Sequence, residues 1–244
     1  MKPLTVIVTG ASSGIGKAVA RYFLDRGANV VINSSTAAKL AEAARELGGG
    51  ERLAAVAGNV SDKATGEQLL QTALERFGSA DVLINNAGIY ENKPFLEVDE
   101  AYLDRFLSTN LKGTFFTTQA VLPQMLRQRD GAVINIGSPL VGHALGGSPS
   151  TAPMASKGAI HALTLQLAAE FGPDNIRVNT IACGIIRTPM HGASADAAAG
   201  LHLLGRIGEV EEVAHLAYTL ATNRFVTGAI INVDGGMGAG HHLN

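Results

Sequence analysis

The sequence contains a single cysteine, Cys183. One thiol excludes an internal disulfide framework and any zinc site built from several cysteines. No apolar run approaches the ~18 residues that suggest a membrane-spanning helix. The opening Met1-Lys2-Pro3-Leu4-Thr5 leads only into an apolar run of strand length, too short for the core of a secretion signal. Neither sign of charge dominates. Nineteen basic residues stand against 21 acidic ones, a net charge of −2, which disfavours non-specific nucleic-acid binding. Solenoid repeats and low-complexity blocks are absent. The histidines form no ligand constellation: His161, His191, His202 and His215 are dispersed and His241-His242 is a terminal pair, so no metal is expected. A reducing, cytoplasmic setting with no membrane contact is the expectation.

What is present is core-forming material. Apolar residues make up 46% of the 244 and charged residues 16%, enough for a large core. Candidate strands are Leu4–Thr9, Asn29–Asn33, Leu53–Ala57, Asp81–Asn85, Ala132–Gly137, Arg177–Ala182 and Ala229–Val233. Candidate helices lie between them at Gly14–Asp25, Ala37–Leu47, Lys63–Phe77, Glu100–Arg127, Ala152–Phe171 and Val210–Ala221. Runs such as Val6-Ile7-Val8 and Val30-Val31-Ile32 are apolar throughout, as strands covered on both faces are. The alternation predicts an α/β fold: one doubly wound, Rossmann-type, seven-stranded parallel sheet with helices on both faces, spanning residues 1–244 as a single domain. Gly27 and Gly48 follow the first two helices as terminating glycines do, Thr36 stands as an N-cap of the second, and Glu209, Glu211 and Glu212 favour the start of the last. The irregular stretch 187–206 follows a strand's carboxyl end, where ligands bind in such sheets.

Thr9-Gly10-Ala11-Ser12-Ser13-Gly14-Ile15-Gly16 joins the first strand to the first helix. Gly10, Gly14 and Gly16 permit a tight turn and close approach to a pyrophosphate. The helix N-terminus adds free N–H groups, and Ser12 and Ser13 add hydroxyl donors. The spacing G-x-x-x-G-x-G departs from G-x-G-x-x-G, and a loop needed only for helix–strand packing would read the same way.

Further motifs follow in order: Asn85-Asn86-Ala87-Gly88, Asn110 in Thr109-Asn110-Leu111-Lys112-Gly113, Ser138, Ala155-Ser156-Lys157, Arg177-Val178-Asn179 and Val233-Asp234-Gly235-Gly236. With the glycine loop, they make the chain resemble the short-chain dehydrogenase/reductase family over almost its whole length. The resemblance implies a nicotinamide dinucleotide cofactor, hydride transfer between that cofactor and a carbonyl or alcohol, and a homotetramer. It implies cofactor contacts from Gly10, Ser12, Ser13, Gly14, Ile15, Gly16, Asn59, Val60, Asn86, Ala87, Gly88, Lys157, Gly184, Ile186 and Thr188. It assigns Ser138, Asn110 and Lys157 to the catalytic set. Ser34 and Ser35 occupy the place of the acidic residue that selects NAD, so NADP(H) is favoured modestly over NAD(H).

The family's proton donor is a tyrosine in Y-x-A-S-K. Met154, three residues before Lys157, is read as standing in its place. A thioether has no titratable proton, so ordinary reduction should be lost or crippled. Lys157 acting through water, His143 or Tyr90 are candidate substitutes. Cys183, in place of a usual proline, reads as a small buried thiol. Two functions stay open: an oxidoreductase with impaired or altered proton delivery, and a catalytically inactive nucleotide-binding protein serving as sensor or structural subunit. The substrate pocket is expected to draw on Tyr90, Leu140, Val141, His143, Ile185, Met190 and loop 187–206. Their composition suggests a small or medium apolar carbonyl compound.

Overall fold

A computed structural model describes residues 2–192 and 195–240. The His241-His242 pair and residues 193 and 194 of the 187–206 loop lie outside the described residues. Seven strands form one parallel sheet: β1 (Thr5–Val8), β2 (Asn29–Ser34), β3 (Leu53–Ala57), β4 (Val82–Asn85), β5 (Gly131–Gly137), β6 (Ile176–Cys183) and β7 (Ile230–Val233). Their spatial order is β3-β2-β1-β4-β5-β6-β7. The chain winds outward from β1 in one direction and from β4 in the other, so the order reverses between them. That reversal opens a crevice at the strands' carboxyl ends.

The helices are α1 (Gly14–Asp25), α2 (Ala37–Leu47), α3 (Lys63–Phe77), α4 (Glu100–Phe106), α5 (Gly113–Gln128), α6 (Thr151–Phe171) and α7 (Val210–Thr222). Alternate strand residues feed two cores. Val6 and Val8 of β1 join Phe23 of α1, Leu40 of α2 and Val213 of α7 on one face. Ile7 of β1 joins Leu69 of α3, Val121 and Met125 of α5 and Ala168 of α6 on the other. Burying such side chains contributes roughly 1.5–3 kcal/mol each. Because both faces are covered, the strands read as continuous apolar runs.

The expected helix over Glu100–Arg127 is not one helix. A π-helical turn at Leu107–Lys112 separates α4 from α5. Asn110, fully buried within it, accepts a hydrogen bond from the Ile89 amide at 2.8 Å and donates to Ser156 Oγ at 2.9 Å and to the Ile89 carbonyl at 3.2 Å. A side chain tied to backbone outside the helix accompanies the widened ladder, a feature that recurs at functional sites.

Gly48 caps α2 in the left-handed region (φ 63°). Thr36 takes the N-cap position of that helix without a side-chain bond, and Ser34 Oγ instead accepts from the Thr36 amide at 3.3 Å. At α7 Glu209 and Glu212 form a reciprocal capping box. The loop after β6 holds a short 3-10 helix at Ala195–Leu201. On α6 apolar residues lie largely on the sheet: Ile160 is buried and Leu167 and Phe171 pack on the core. Leu165 is the exposed apolar residue of that helix.

Candidate functional site

A cavity of about 890 Å³ fills the crevice at the carboxyl ends of the strands. Every strand delivers part of its wall, β7 through Met237. Gly10, Ser12, Ser13, Gly14 and Ile15 follow β1; Asn33, Ser34 and Ser35 close β2; Gly58, Asn59 and Val60 follow β3. Asn86, Ala87, Gly88 and Tyr90 follow β4, and Gly137 and Ser138 close β5. Gly184, Ile186 and Thr188 follow β6, and Pro153, Met154 and Lys157 enter from α6.

Backbone pairing holds the glycine loop in place. Thr9 Oγ1 accepts from the amides of Asn86 (3.0 Å) and Ala87 (3.1 Å), while Asn86 Nδ2 donates to the carbonyls of Thr9 and Gly10, both at 3.0 Å. Gly10 adopts φ 64°, and a methyl there would lie 2.7 Å from Ala87 Cα. Ser13, the N-cap of α1, makes no side-chain cap bond, and no acidic residue occupies that helix's first turn. The helix end therefore presents amide donors and a positive dipole end to the cavity with no built-in anion, a form that fits a phosphate group.

Two of the residues expected in cofactor or catalytic roles stand outside the cavity wall. Gly16 packs inward: a methyl there would lie 2.4 Å from Asn86 Nδ2 and 2.6 Å from the Gly10 carbonyl, so its smallness serves the loop's packing. Asn110 lies behind the wall, where it fixes Ile89 and Ser156. At the β2 end Ser34 is buried and Ser35 exposed. Asn33 donates to the carbonyls of Val56 and Gly58, both at 3.0 Å, stitching β2 to the turn after β3. Asn59 Oδ1 accepts from the Ser61 amide at 3.1 Å.

The helix corrects the place of the missing tyrosine. Y-x-A-S-K spans four steps, so counted back from Lys157 its first position is Pro153, and Met154 takes the variable second one. Both side chains line the cavity, which is why three-residue and four-residue spacings from Lys157 look alike on a helical face. Pro153 sits in the first turn of α6, where its missing N–H has no helical partner to lose. Its carbonyl accepts from Ser156 Oγ at 2.7 Å. Neither Pro153 nor Met154 carries a proton to give.

The ionisable groups around this gap differ sharply. Lys157 Nζ donates to the Ile136 carbonyl at 2.6 Å, and burial lowers its pKa from 10.5 to about 8. Ser138 Oγ accepts from the Leu140 amide at 3.3 Å and keeps its own proton available. Tyr90 OH lies 3.5 Å from Ser148 Oγ at the cavity wall. His143 and Val141 are not among the lining residues, whereas Leu145, His191, Leu201 and Met237 are. From sequence His191 is one of several dispersed histidines, because no spacing marks a loop histidine as part of a site; burial lowers its pKa. Burial pushes the Cys183 thiol up to about 12, which leaves it an unreactive thiol. Among the described residues no cluster of three or more His, Cys, Asp or Glu side chains is arranged to hold a metal, and no helix is long and apolar enough to cross a membrane.

Comparison with known proteins agrees with this architecture. A family model described as short chain dehydrogenase matches residues 4–199. The 3-oxoacyl-(acyl-carrier-protein) reductase FabG of Thermotoga maritima is 36% identical over 238 residues, covering 95% of this chain and 96% of that protein. Oxidoreductase UcpA of Salmonella typhimurium is 36% identical over 249 residues, covering 95% and 93% respectively. The solved structure of ElxO with NADP bound aligns with a TM-score of 0.90 at 30% identity, covering 98% of this chain and 100% of that one. The chain belongs to the short chain dehydrogenase family.

Proposed function

We propose that the protein is an NAD(P)-dependent oxidoreductase acting on a carbonyl or alcohol, with proton delivery altered by Pro153 in the tyrosine place. The observation that carries this reading is the single cavity joining the uncapped end of α1 to the Lys157 amine and Ser138. When bound, a reduced nicotinamide supplies hydride to a carbonyl carbon. Residues near α1 would hold the phosphates, Val60 and Asn59 the adenine, and Lys157 the ribose hydroxyls. Ser138 would hydrogen-bond the substrate oxygen. With no phenol at the Pro153 position, Lys157 is the best-placed proton source, because its amine lines the cavity beside Ser138 and burial brings its pKa down to about 8.

Ser34 and Ser35 support NADP(H) over NAD(H), since both carry hydroxyls and no carboxylate among the lining residues there opposes a 2′-phosphate. The NADP-bound structural relative supports the same preference. Calorimetric titration with each cofactor is expected to give modestly tighter binding of NADP(H). Tighter NAD(H) binding would assign the hydroxyls to the ribose.

The wall near Lys157 is mostly apolar, with Leu140, Leu145, Met154, Met190 and Leu201, and supports an uncharged, small or medium carbonyl substrate. We read the chain as one dinucleotide-binding domain with loop 187–206 over the substrate, in the cytoplasm, with no nucleic-acid or membrane partner. Exposed Phe115 on α5, and Leu165 and Phe225 elsewhere, support assembly into a homotetramer. Sedimentation at micromolar concentration should show four copies, and a monomer would end that reading. The absent phenol favours a second reading, a nucleotide-binding protein without turnover, such as a sensor or structural subunit.

A further inference from the structure

His202 follows the 3-10 helix Ala195–Leu201 in the loop after β6, and it is only 2% exposed. Its two ring nitrogens meet partners of opposite kind. Nδ1 lies 3.2 Å from the Ala198 carbonyl, which can only accept a hydrogen bond. Nε2 lies 3.2 Å from the backbone N–H of Ile185, which can only donate. One protonation state satisfies both: the neutral ring with its proton on Nδ1.

The bond to Ile185 is structurally strategic. Ile185, Ile186 and Thr188 line the cavity next to Gly184. Their backbone is held on one side by Gly208, whose amide donates to the Ile185 carbonyl at 2.9 Å and whose carbonyl accepts from Arg187 at 2.8 Å. His202 provides a side-chain anchor to the same backbone, reaching back 17 residues. Two glycines let the chain approach the ring closely. A methyl on Gly184 would lie 3.0 Å from His202 Nε2 and 2.8 Å from Asp234 Cα, and one on Gly235 would lie 3.2 Å from His202 Cβ.

We propose that His202 is a positioning residue that latches the base of the 187–206 loop to the cavity-lining segment 184–186 in its neutral form and releases it on protonation. Protonated imidazole donates from both nitrogens. Nε2–H would then face the Ile185 N–H, two donors in a buried space, and the bond would be lost. Imidazole is the side chain that changes charge near neutrality.

Charged groups packed around the ring are already engaged. Asp234, after β7, accepts from the amides of Gly236 (2.9 Å) and Gly238 (2.8 Å). Arg206 pairs with Glu212 of α7 at 2.7 Å. On the loop itself Arg187 pairs with Asp196 at 2.7 Å and with Glu209 at 3.0 Å. The hydrogen bond that a second ring proton would break is therefore the one to Ile185.

The test compares the unaltered protein with His202→Gln and His202→Leu. A glutamine amide can accept from Ile185 and donate to Ala198 at every pH, whereas leucine fills space and does neither. Hydrogen exchange at the Ile185 amide, expressed as a protection factor, is measured between about pH 8 and about pH 5.5. Protection should fall roughly tenfold in the unaltered protein on acidification, the scale of one lost buried hydrogen bond. It should stay high in His202→Gln and low throughout in His202→Leu. Far-ultraviolet circular dichroism and binding of adenosine 2′,5′-bisphosphate, which lacks the nicotinamide half, check that each variant is folded. NADPH affinity should follow the Ile185 protection, a consequence that rests on the nucleotide-binding reading above, while the fragment's affinity should not. Protection independent of pH, or a glutamine variant that loses it as the unaltered protein does, would overturn the proposal. The expected exchange pattern with no NADPH binding at any pH would leave the latch standing and remove the nucleotide reading instead.

Discussion

Replacing Pro153 by tyrosine is expected to accelerate carbonyl reduction by ~10²–10⁴-fold over the unaltered protein, the usual worth of a positioned general acid. Pro153 lines the cavity four residues before Lys157, so a ring placed there shares a helix face with the ammonium. A cation beside a phenol favours the phenolate and lowers its pKa, which readies the proton for transfer. The cavity's 890 Å³ leaves space for the ring. Losing the proline costs little, because its nitrogen lies in the first turn of α6; the unfolded chain gains freedom worth about 0.4–1 kcal/mol. Met154→Tyr is the displaced control. It sits about 100° further round the helix and should give little gain. Cofactor oxidation against a panel of carbonyl compounds, beside cofactor titrations, measures both variants. Brisk turnover by the unaltered protein would mean that another donor already works, and Tyr90→Phe would then test the phenol at the wall. Cofactor binding by all three proteins with no reduction by any would favour the nucleotide-binding reading without turnover.

The contrast between Pro153 and Met154 shows what a sequence exposes and what it hides. Local signals fixed the early elements closely: α1, α2 and α3 begin and end where glycines and β-branched runs mark them. Around Leu107–Lys112 the buried positions are Asn110, Gly113 and Thr114 rather than apolar residues, so apolar periodicity could not mark the π-helical turn. Its counterpart, the bond between Asn110 and Ile89, links residues 21 apart. The glycine loop, Asn86 and Lys157 are contiguous motifs and were visible. His202 and His191 were not, because their significance arises from tertiary placement in a loop without a periodic signal. Gly16 was visible as a glycine but not as a packing glycine, since that depends on Asn86 folding over it.

Lys157 leads to the second large effect, a pH dependence that differs in sign from that of a surface lysine in a salt bridge. In the folded protein burial brings its pKa down to about 8, while the unfolded chain keeps an ordinary value of 10.5. Between those values the unfolded chain holds a proton that the folded one has released, so unfolding becomes less favourable as pH rises. Below about pH 8 the buried ammonium costs the fold on the order of a few kcal/mol, and the cost fades as pH climbs toward 10.5. Lys157→Met removes this titration. Denaturant unfolding of both proteins across that range should show the unaltered protein gaining stability relative to the variant with rising pH. A constant difference would mean that the amine is solvated and keeps its ordinary acidity. If Lys157 holds the ribose as proposed, the same variant should bind cofactor much more weakly; it also leaves the Ile136 carbonyl without its 2.6 Å partner. If Lys157 also supplies the proton in the unaltered protein, reduction should decline as pH passes through about 8, where the ammonium is lost. In Pro153→Tyr the phenol takes over as donor, and that decline should move to the pH at which the phenol itself ionises.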